Sequence, residues 1–378
     1  MIGYNRERID QYYHHEEIER WHQHDWIDED TYTRLSDTLN NRYHEPNIFI
    51  RTGYFILTII LINSAFGFAM LVISDVMNEL SWGYLSLVSS VLLLAVLQYF
   101  VINERQFFRH GVDDAVLYAA IAFAYIGLFL TTSWINGDIA FPLFSVFIFG
   151  SLGYVYRDRL LSVLAAIAVY GFIFSLIVET NEGWAVLIPF IFMVLSGLGY
   201  YMFHRLSKSS DDPAIVEISS LLIWLTLIML YLSGNYYIVD HLNRELMGTS
   251  ENPLWWLFYI TTFGIPITYL VLGITRKHLA FFTIGLIALP ASVISIGYYY
   301  NIMPSEWALV LGGLSFITIA IVVSKKIGEQ RWGLTTQESA SMDIDLLEAL
   351  IATHVTKTQT AYRSGGGSFG GGGASGSF

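Results

Sequence analysis

The apolar residues of this sequence are gathered into long uninterrupted segments, and this feature restricts the fold more than any other. Ten segments qualify: 54–74, 82–102, 116–135, 139–156, 160–179, 184–203, 215–239, 253–275, 278–300 and 307–327. A helix of about 20 residues crosses the bilayer core, and inside lipid only a helix or a closed barrel satisfies every backbone polar group. The segments therefore predict an all-α, polytopic transmembrane helix bundle with about ten spans.

The composition excludes several other classes of protein. Charged residues make up 14% of the chain, against about 25% in soluble domains. The net charge is −12 and no basic patch with interleaved aromatic residues is present, so we expect no nucleic-acid partner. The apolar segments instead predict a lipid bilayer around the chain. The absence of cysteine excludes disulfides, thiolate metal sites and cysteine nucleophiles.

The distribution of basic residues between the spans predicts the orientation of the bundle. Four alternate loops carry eight basic residues: Arg105, Arg109, Arg157, Arg159, Arg205, Lys208, Arg276 and Lys277. The other five loops carry only Arg244. Because Lys and Arg are retained on the cytoplasmic side, the pattern predicts that both termini are cytoplasmic and that the chain is multi-pass in a plasma (inner) membrane.

The segments outside the spans divide the rest of the chain. Residues 1–50 predict a cytosolic amphipathic helical hairpin, with Asp28 as the N-cap of its second helix. Residues 51–328 form the expected ten-span transmembrane domain. Residues 329–362 predict a cytosolic segment with a short amphipathic helix, and residues 363–378 a disordered Gly/Ser/Phe tail.

Histidines are concentrated near the N-terminus. Five of the ten in the chain lie there among carboxylates: His14, His15, His22, His24 and His44. No pair has the i, i+4 spacing that places two ligands on one face of a helix. We therefore interpret them as part of a solvated polar face and expect neither a metal site nor a cofactor.

Polar residues inside a bilayer are candidates for a functional site. Asn63 lies centrally in the first span, Asn235 in the outer half of the seventh, and Glu217 near the cytoplasmic end of the seventh. These three form our candidate intramembrane polar site. An interfacial carboxylate is the alternative interpretation of Glu217. No HExxH, GxSxG or P-loop pattern occurs, so we predict no catalytic residue and no enzymatic activity.

A transporter is the alternative function that the spans permit. Ten spans divide into five plus five, which inverts the second half relative to the first. The loops after spans 2 and 7 have similar lengths, and Pro142 in span 4 corresponds to Pro290 in span 9. These features are consistent with a secondary transporter built from an inverted repeat.

Two stretches resemble known proteins. The segment "IERWHQHDWIDEDTYTRL", followed by many spans, resembles an uncharacterised family of bacterial polytopic membrane proteins with an N-terminal cytosolic helical hairpin. The final "SFGGGGASGSF" resembles the Gly-rich tails of bacterial TPM-domain envelope proteins. The chain lacks a TPM domain, so this second resemblance implies only a shared partner or handling machinery.

Together these features favour a non-enzymatic membrane component that contacts other membrane or cytosolic proteins through its terminal segments. Homo-oligomerisation is left open. The tail ends in an aromatic residue beside a free carboxylate, and an extended chain with spaced side chains can be recognised by pockets on a partner. Phe369 and Phe378 are therefore the candidate partner contacts.

Overall fold

A computed structural model describes residues 3–39, 46–73, 75, 77–132, 137–180, 182–248, 254–300, 310 and 313–314. These residues form helices and connecting loops, and no strand occurs among them. The chain divides into two compact units. The first unit comprises residues 1–10 and 42–336, and the second comprises residues 11–41 and 337–378.

The described part of the second unit is built from two helices. Helix α1 (Arg6–Gln23) lies mostly in it and helix α2 (Glu29–Leu39) lies entirely in it. Ile18 and Trp21 are buried, and Trp26, Ile27, Tyr32 and Leu35 pack against them. The Asp28 carboxylate accepts a hydrogen bond from the Thr31 N–H at 3.1 Å, which confirms the predicted N-cap.

The described part of the first unit contains eight helical segments long and apolar enough to cross a membrane. They are Ile48–Ile73, Glu79–Glu104, Val112–Thr131, Arg159–Thr180, Gly183–Ser209, Pro213–Gly234, Trp255–Thr275 and Leu279–Gly297. A shorter apolar helix, Ala140–Tyr156, lies between the third and fourth. Nine of the ten expected apolar segments thus coincide with helices. The tenth, 307–327, lies outside the described residues except at three positions.

We label the helices of this unit in chain order as α3 (Ile48–Ile73), α4 (Glu79–Val96), α5 (Val112–Thr131), α6 (Ala140–Tyr156), α7 (Arg159–Thr180), α8 (Ile188–Ser209), α9 (Pro213–Gly234), α10 (Tyr236–Met247), α11 (Trp255–Thr275) and α12 (Leu279–Tyr300). A π-helical segment, Leu97–Glu104, extends α4. Four helical hairpins, α4–α5, α6–α7, α8–α9 and α11–α12, form the most extensive contacts.

Small residues permit close approach within the hairpins. Gly83 on α4 faces Gly127 on α5, and a Cβ added at Gly127 would lie 2.8 Å from the Gly83 carbonyl oxygen. Gly153 on α6 similarly faces Ser162 on α7. Close backbone approach at small residues is the usual basis of helix association in lipid, where apolar burial gives little preference for protein over lipid.

The seventh expected span, 215–239, is wrong at its C-terminal end. Helix α9 ends at Gly234, and α10 starts at Tyr236 with Asn235 as its N-cap. The Asn235 side chain accepts hydrogen bonds from the N–H groups of Tyr237 and Ile238 at 3.0 and 3.4 Å. The capping amide favours this break because it satisfies backbone donors that a new helix leaves unpaired.

The two halves of the chain differ at the positions compared in the sequence. The connection from the π-helical segment to α5 spans residues 105–111, whereas the connection from α9 to α11 contains the whole of α10. Pro142 lies in the first turn of α6, where a proline is tolerated, and Pro290 lies inside α12. The two prolines are therefore not at equivalent points of their helices.

A hydrogen bond from α12 satisfies a carbonyl that a proline leaves unpaired in α11. Pro266 has no N–H to donate to the carbonyl of Thr262, four residues earlier. The Ser292 hydroxyl lies 2.7 Å from the Thr262 carbonyl oxygen and is fully buried. The Ser292 hydroxyl could donate instead to the Ala288 carbonyl, but that carbonyl already accepts a hydrogen bond from the Tyr231 hydroxyl. The single Ser292 proton can therefore be donated to the Thr262 carbonyl of α11.

This arrangement predicts a coupling between Ser292 and Pro266. We expect Ser292→Ala to lower the free energy of unfolding by about 0.5–2 kcal/mol, because it leaves the Thr262 carbonyl unsatisfied. In a Pro266→Ala background the restored N–H should satisfy that carbonyl, so Ser292→Ala should have little effect. Reversible unfolding in mixed micelles measures the double-mutant cycle.

Thr268→Ala is the matched control, because the Thr268 hydroxyl is exposed and donates only to the Gly264 carbonyl of its own helix. An equal loss of stability from Ser292→Ala in both backgrounds would refute the pairing with Pro266.

Candidate functional site: a charged cluster at one end of the first unit

Four connections that the sequence predicts to lie on one side of the membrane meet at one end of the first unit. Ion pairs join the start of α3 to α5, the loop before α5 to α9, the start of α7 to α9, and the α6–α7 turn to the α8–α9 loop. We call the participating side chains the charged cluster. Its members are Arg51, Arg109, Arg157, Arg159, Asp113, Asp114, Asp158, Asp212 and Glu217.

The Asp113 carboxylate organises the loop that precedes α5. It accepts hydrogen bonds from the backbone N–H groups of Arg109, His110 and Gly111 at 2.7, 3.0 and 3.0 Å. Its side chain is 2% exposed, so these bonds replace the hydration that a buried charge loses. Gly111 has φ +94°, and a Cβ there would collide with the Arg51 carbonyl oxygen. Only glycine fits this position.

Glu217, one of the predicted site residues, is bound by two arginines. Its Oε2 lies 2.7 Å from an Arg109 guanidinium nitrogen, and its Oε1 pairs with Arg159. The Arg109 side chain is 9% exposed, whereas those of Glu217 and Arg159 are 29% and 42% exposed. Glu217 therefore links α9 to the loop before α5 and to α7.

Two further ion pairs extend the cluster to its edges. Arg51 in the first turn of α3 lies 2.6 Å from Asp114 in the first turn of α5. Arg157, in the α6–α7 turn, lies 3.1 Å from Asp212, which also caps α9 through the Ala214 N–H. Carboxylates at the N-termini of α5 and α9 are stabilised additionally by the helix dipole.

Asp158, like Asp113, is held by neutral donors. Its carboxylate accepts hydrogen bonds from the Leu161 N–H at 2.7 Å and from the Tyr118 hydroxyl at 2.9 Å. Burial raises the pKa of Asp158 above its ordinary value, against the lowering effect of these two donors.

The N-terminal residues insert into this cluster, which the sequence did not indicate. The Tyr4 hydroxyl donates to Asp113 Oδ2 at 2.9 Å, and its ring packs edge-to-face against Phe108 with ring centroids 4.9 Å apart. Burial, followed by the Asp113 charge, raises the pKa of Tyr4 well above its ordinary value. Tyr4 therefore remains a protonated donor at physiological pH.

The π-helical segment receives the residue before Tyr4. The Gly3 N–H donates to Gln98 Oε1 at 2.8 Å, and Gln98 also donates to the Asn103 side chain. A Cβ on Gly3 would lie 2.5 Å from the Val155 carbonyl oxygen, and its φ is +95°. Widened helical turns of this kind are frequent at functional sites, and here the turn directs a buried amide side chain at the inserted chain.

A cavity of about 130 Å³ lies within the cluster. It is lined by four arginines, by Asp113, Asp114 and Asp158, and by the rings of Tyr4, Phe108, Tyr118 and Tyr156, with Leu160. Its arginines are already paired with carboxylates, so the cavity does not present unneutralised positive charge to an anion. The arrangement instead joins five chain segments.

The other predicted site residues differ in burial and in hydrogen-bond partners. Asn235 is 1% exposed, and its amide donates to Tyr231 Oη and Ser295 Oγ at 2.9 and 3.2 Å while its oxygen caps α10. Asn63 is exposed on α3 and donates to the Ile59 carbonyl of its own helix. The structure therefore does not bring Asn63, Asn235 and Glu217 together. Phe369 and Phe378 lie outside the described residues.

A second, larger cavity of about 460 Å³ lies between α5, α6 and α7, away from the charged cluster. Its polar lining includes Asp138 and Glu179, and its apolar lining includes Phe129, Phe141 and Pro142. None of the predicted site residues lines it. Within the described ranges, no group of three or more His, Asp or Glu side chains is arranged to hold a metal ion.

Comparison with protein-family models, with curated proteins and with solved structures finds no match to this chain.

The ion pairs of Glu217 lead to a stability prediction. We expect Glu217→Gln to lower the free energy of unfolding by about 1–3 kcal/mol, because it leaves the buried Arg109 guanidinium without its carboxylate. The partial exposure of Glu217 and Arg159 keeps the expected value below that of a fully buried pair. Chemical unfolding in micelles gives the measurement.

Glu245→Gln is the matched control, since Glu245 is exposed on α10. If both variants unfold at the same denaturant concentration as the parent, the charged cluster does not stabilise the first unit.

Proposed function

We propose that this protein is a non-enzymatic, integral component of a bacterial plasma-membrane assembly, with the charged cluster and both termini on the cytoplasmic side. The observation that carries the proposal is the insertion of Gly3 and Tyr4 into the charged cluster. These residues lead directly into α1, so a partner bound to the N-terminal helical hairpin is connected through them to the membrane helices. The described part of the chain has eight helices long and apolar enough for an integral membrane protein.

The polar residues of the membrane-spanning helices support this role over transport. The side chain of Asn235 uses both its donors and its acceptor within the protein, so it has no remaining capacity for a substrate. Asn63 is exposed on α3 and does not face the other described helices. A transporter site requires polar groups that converge near the midplane. The candidate groups identified in this chain do not converge.

The tail provides the second element of the proposal. Residues 365–378 contain eight glycines and two phenylalanines. Its resemblance to the tails of TPM-domain envelope proteins supports recognition by a shared partner. In this proposal Phe369 and Phe378 are the contacts, and the glycines between them serve as spacers.

The tail proposal predicts a loss of partner on removal of the phenylalanines. We expect affinity purification from native membranes to recover at least one protein with the parent chain that the Phe369→Ser/Phe378→Ser variant does not retain. The variant keeps the length and the glycines of the tail, so the difference isolates the aromatic contacts. The unfolding transition should be unchanged, and identical sets of co-purifying proteins would contradict the proposal.

The inserted segment predicts a measurable coupling between the N-terminus and the membrane helices. We expect Tyr4→Phe to increase hydrogen–deuterium exchange of residues 3–10 by about two- to tenfold, because the hydrogen bond to Asp113 contributes about 0.5–1.5 kcal/mol. Exchange is followed by mass spectrometry in detergent or nanodiscs.

Tyr154→Phe is the control at the same end of the unit. Tyr154 is 67% exposed, and its ring contact with Arg157 survives the change. If Tyr4→Phe and Tyr154→Phe leave exchange of residues 3–10 equally unaffected, the inserted hydroxyl does not hold the segment.

A further inference from the structure

Helix α3 is unlike the other membrane-spanning helices of the first unit. It has 26 residues, and none of them is buried among the described residues. It packs mainly against α5, and Arg51 in its first turn pairs with Asp114. Most of its circumference is therefore left uncovered by the other described helices.

The exposed surface of α3 carries an amide close to the middle of the helix. The one hydrogen bond of the Asn63 side chain among the described residues runs from Nδ2 to the Ile59 carbonyl oxygen, at 2.9 Å. The Oδ1 acceptor and the second Nδ2 hydrogen have no hydrogen-bond partner among the described residues. In lipid hydrocarbon these groups have no water to bind, so a partner that supplies both an acceptor and a donor is favoured.

The residues around Asn63 follow the spacing of a helix–helix seam. Alternating steps of four and three residues connect a single stripe on α3: Phe49, Gly53, Ile56, Ile60, Asn63, Gly67 and Met70. Every member except Gly67 is exposed, and Gly67 is partly exposed. This is the heptad spacing at which two helices remain in contact along their length.

The two glycines of the stripe leave room for a second helix. A Cβ added at Gly53 or Gly67 would meet no atom within 4 Å, so neither glycine is explained by close packing inside the unit. Gly67 lies one turn beyond Asn63, on the same face. Small residues flanking a polar side chain let two backbones approach closely enough for the polar groups to pair across the interface.

We propose that α3 binds α3 of a second copy of this chain, with Asn63 paired to Asn63 across a two-fold axis. The choice of a second copy follows from the chemistry of the amide, which is self-complementary because it has both a donor and an acceptor. In a two-fold contact each Asn63 donates to and accepts from the other, so one residue type satisfies both chains. The stripe contains no charge that would oppose this self-contact.

The inference adds a self-contact to the proposed role as an assembly component, and it does not involve the tail. The self-contact depends on the proposed function in one respect, which is that the chain associates with other chains. Loss of the α3 contact would leave the tail experiment intact, and failure of the tail experiment would leave the α3 contact intact.

The absence of cysteine makes cross-linking a direct test. A single introduced cysteine can form a disulfide only with another chain. We expect Ile56→Cys and Ile60→Cys in native membranes to give covalent dimers on mild oxidation. Leu57→Cys and Leu61→Cys are the matched controls, since both leucines are exposed on α3 at nearly the same depth but outside the stripe. They should give at least fivefold less dimer.

The role of Asn63 is tested in the Ile60→Cys background. We expect Asn63→Leu to weaken dimerisation by about three- to tenfold, as expected for loss of an interhelical amide pair in lipid. Asn63→Gln should preserve it, because glutamine retains the donor and the acceptor. Energy transfer between labelled chains, diluted in vesicles, gives the dissociation constants.

The alternative occupants of the stripe predict different outcomes. If the apolar segment 307–327 of the same chain covers it, Ile56→Cys and Ile60→Cys will yield no dimer and will react slowly with a membrane-permeant thiol reagent. If another protein covers it, the purified chain will not dimerise in vesicles. Equal yields from all four cysteines indicate random collision. Each of these three results would overturn the proposal.

Discussion

One buried carboxylate, that of Asp113, holds together the end of the first unit on which the other contacts depend. Three backbone N–H groups of residues 109–111 and the Tyr4 hydroxyl converge on it. Because these bonds fix the loop, the Arg109 guanidinium is placed beside Glu217, and Glu217 in turn reaches Arg159. The connection between α5, α7 and α9 thus follows from the solvation of one charge by main-chain donors. Substitution at Asp113 would act on all of these contacts together, whereas substitution at Glu217 would remove only its pairs with Arg109 and Arg159.

The parts of this structure that the sequence predicted are those governed by local rules. Nine apolar segments coincide with helices because lipid requires about 20 apolar residues in a hydrogen-bonded helix. Asp28 caps α2 because the carboxylate and its donor are three residues apart. The break at Asn235 was missed because residues 215–239 are apolar enough to continue, and a single amide decides the end of α9. The contact between Tyr4 and Asp113 joins residues 109 positions apart, so no periodicity in the sequence could indicate it.

The two asparagines of the candidate intramembrane site show why hydropathy could not assign their roles. Both are polar residues in apolar surroundings, and a sequence pattern gives them the same status. Asn235 lies between α9, α10 and α12 and has all its hydrogen-bonding groups satisfied, so it acts as a structural cap. Asn63 bonds only to its own helix among the described residues and is exposed. The two asparagines differ in burial and hydrogen bonding because their helices have different neighbours. Those neighbours are determined by the tertiary arrangement and not by the residue type.

The attachment of α3 connects the proposed self-contact to the charged cluster. Within the first unit, α3 is fixed at its start by the Arg51–Asp114 pair and by the stacking of Tyr54 on His110, with ring centroids 4.8 Å apart. His110 belongs to the loop that Asp113 organises, and Gly111 of that loop contacts the Arg51 carbonyl. The first turn of α3 and the inserted Tyr4 are therefore held by the same few residues. If both proposed contacts form, a second copy bound along α3 and a partner on the N-terminal segment would both act on this loop. The loop before α5 would then be the physical connection between the two contacts.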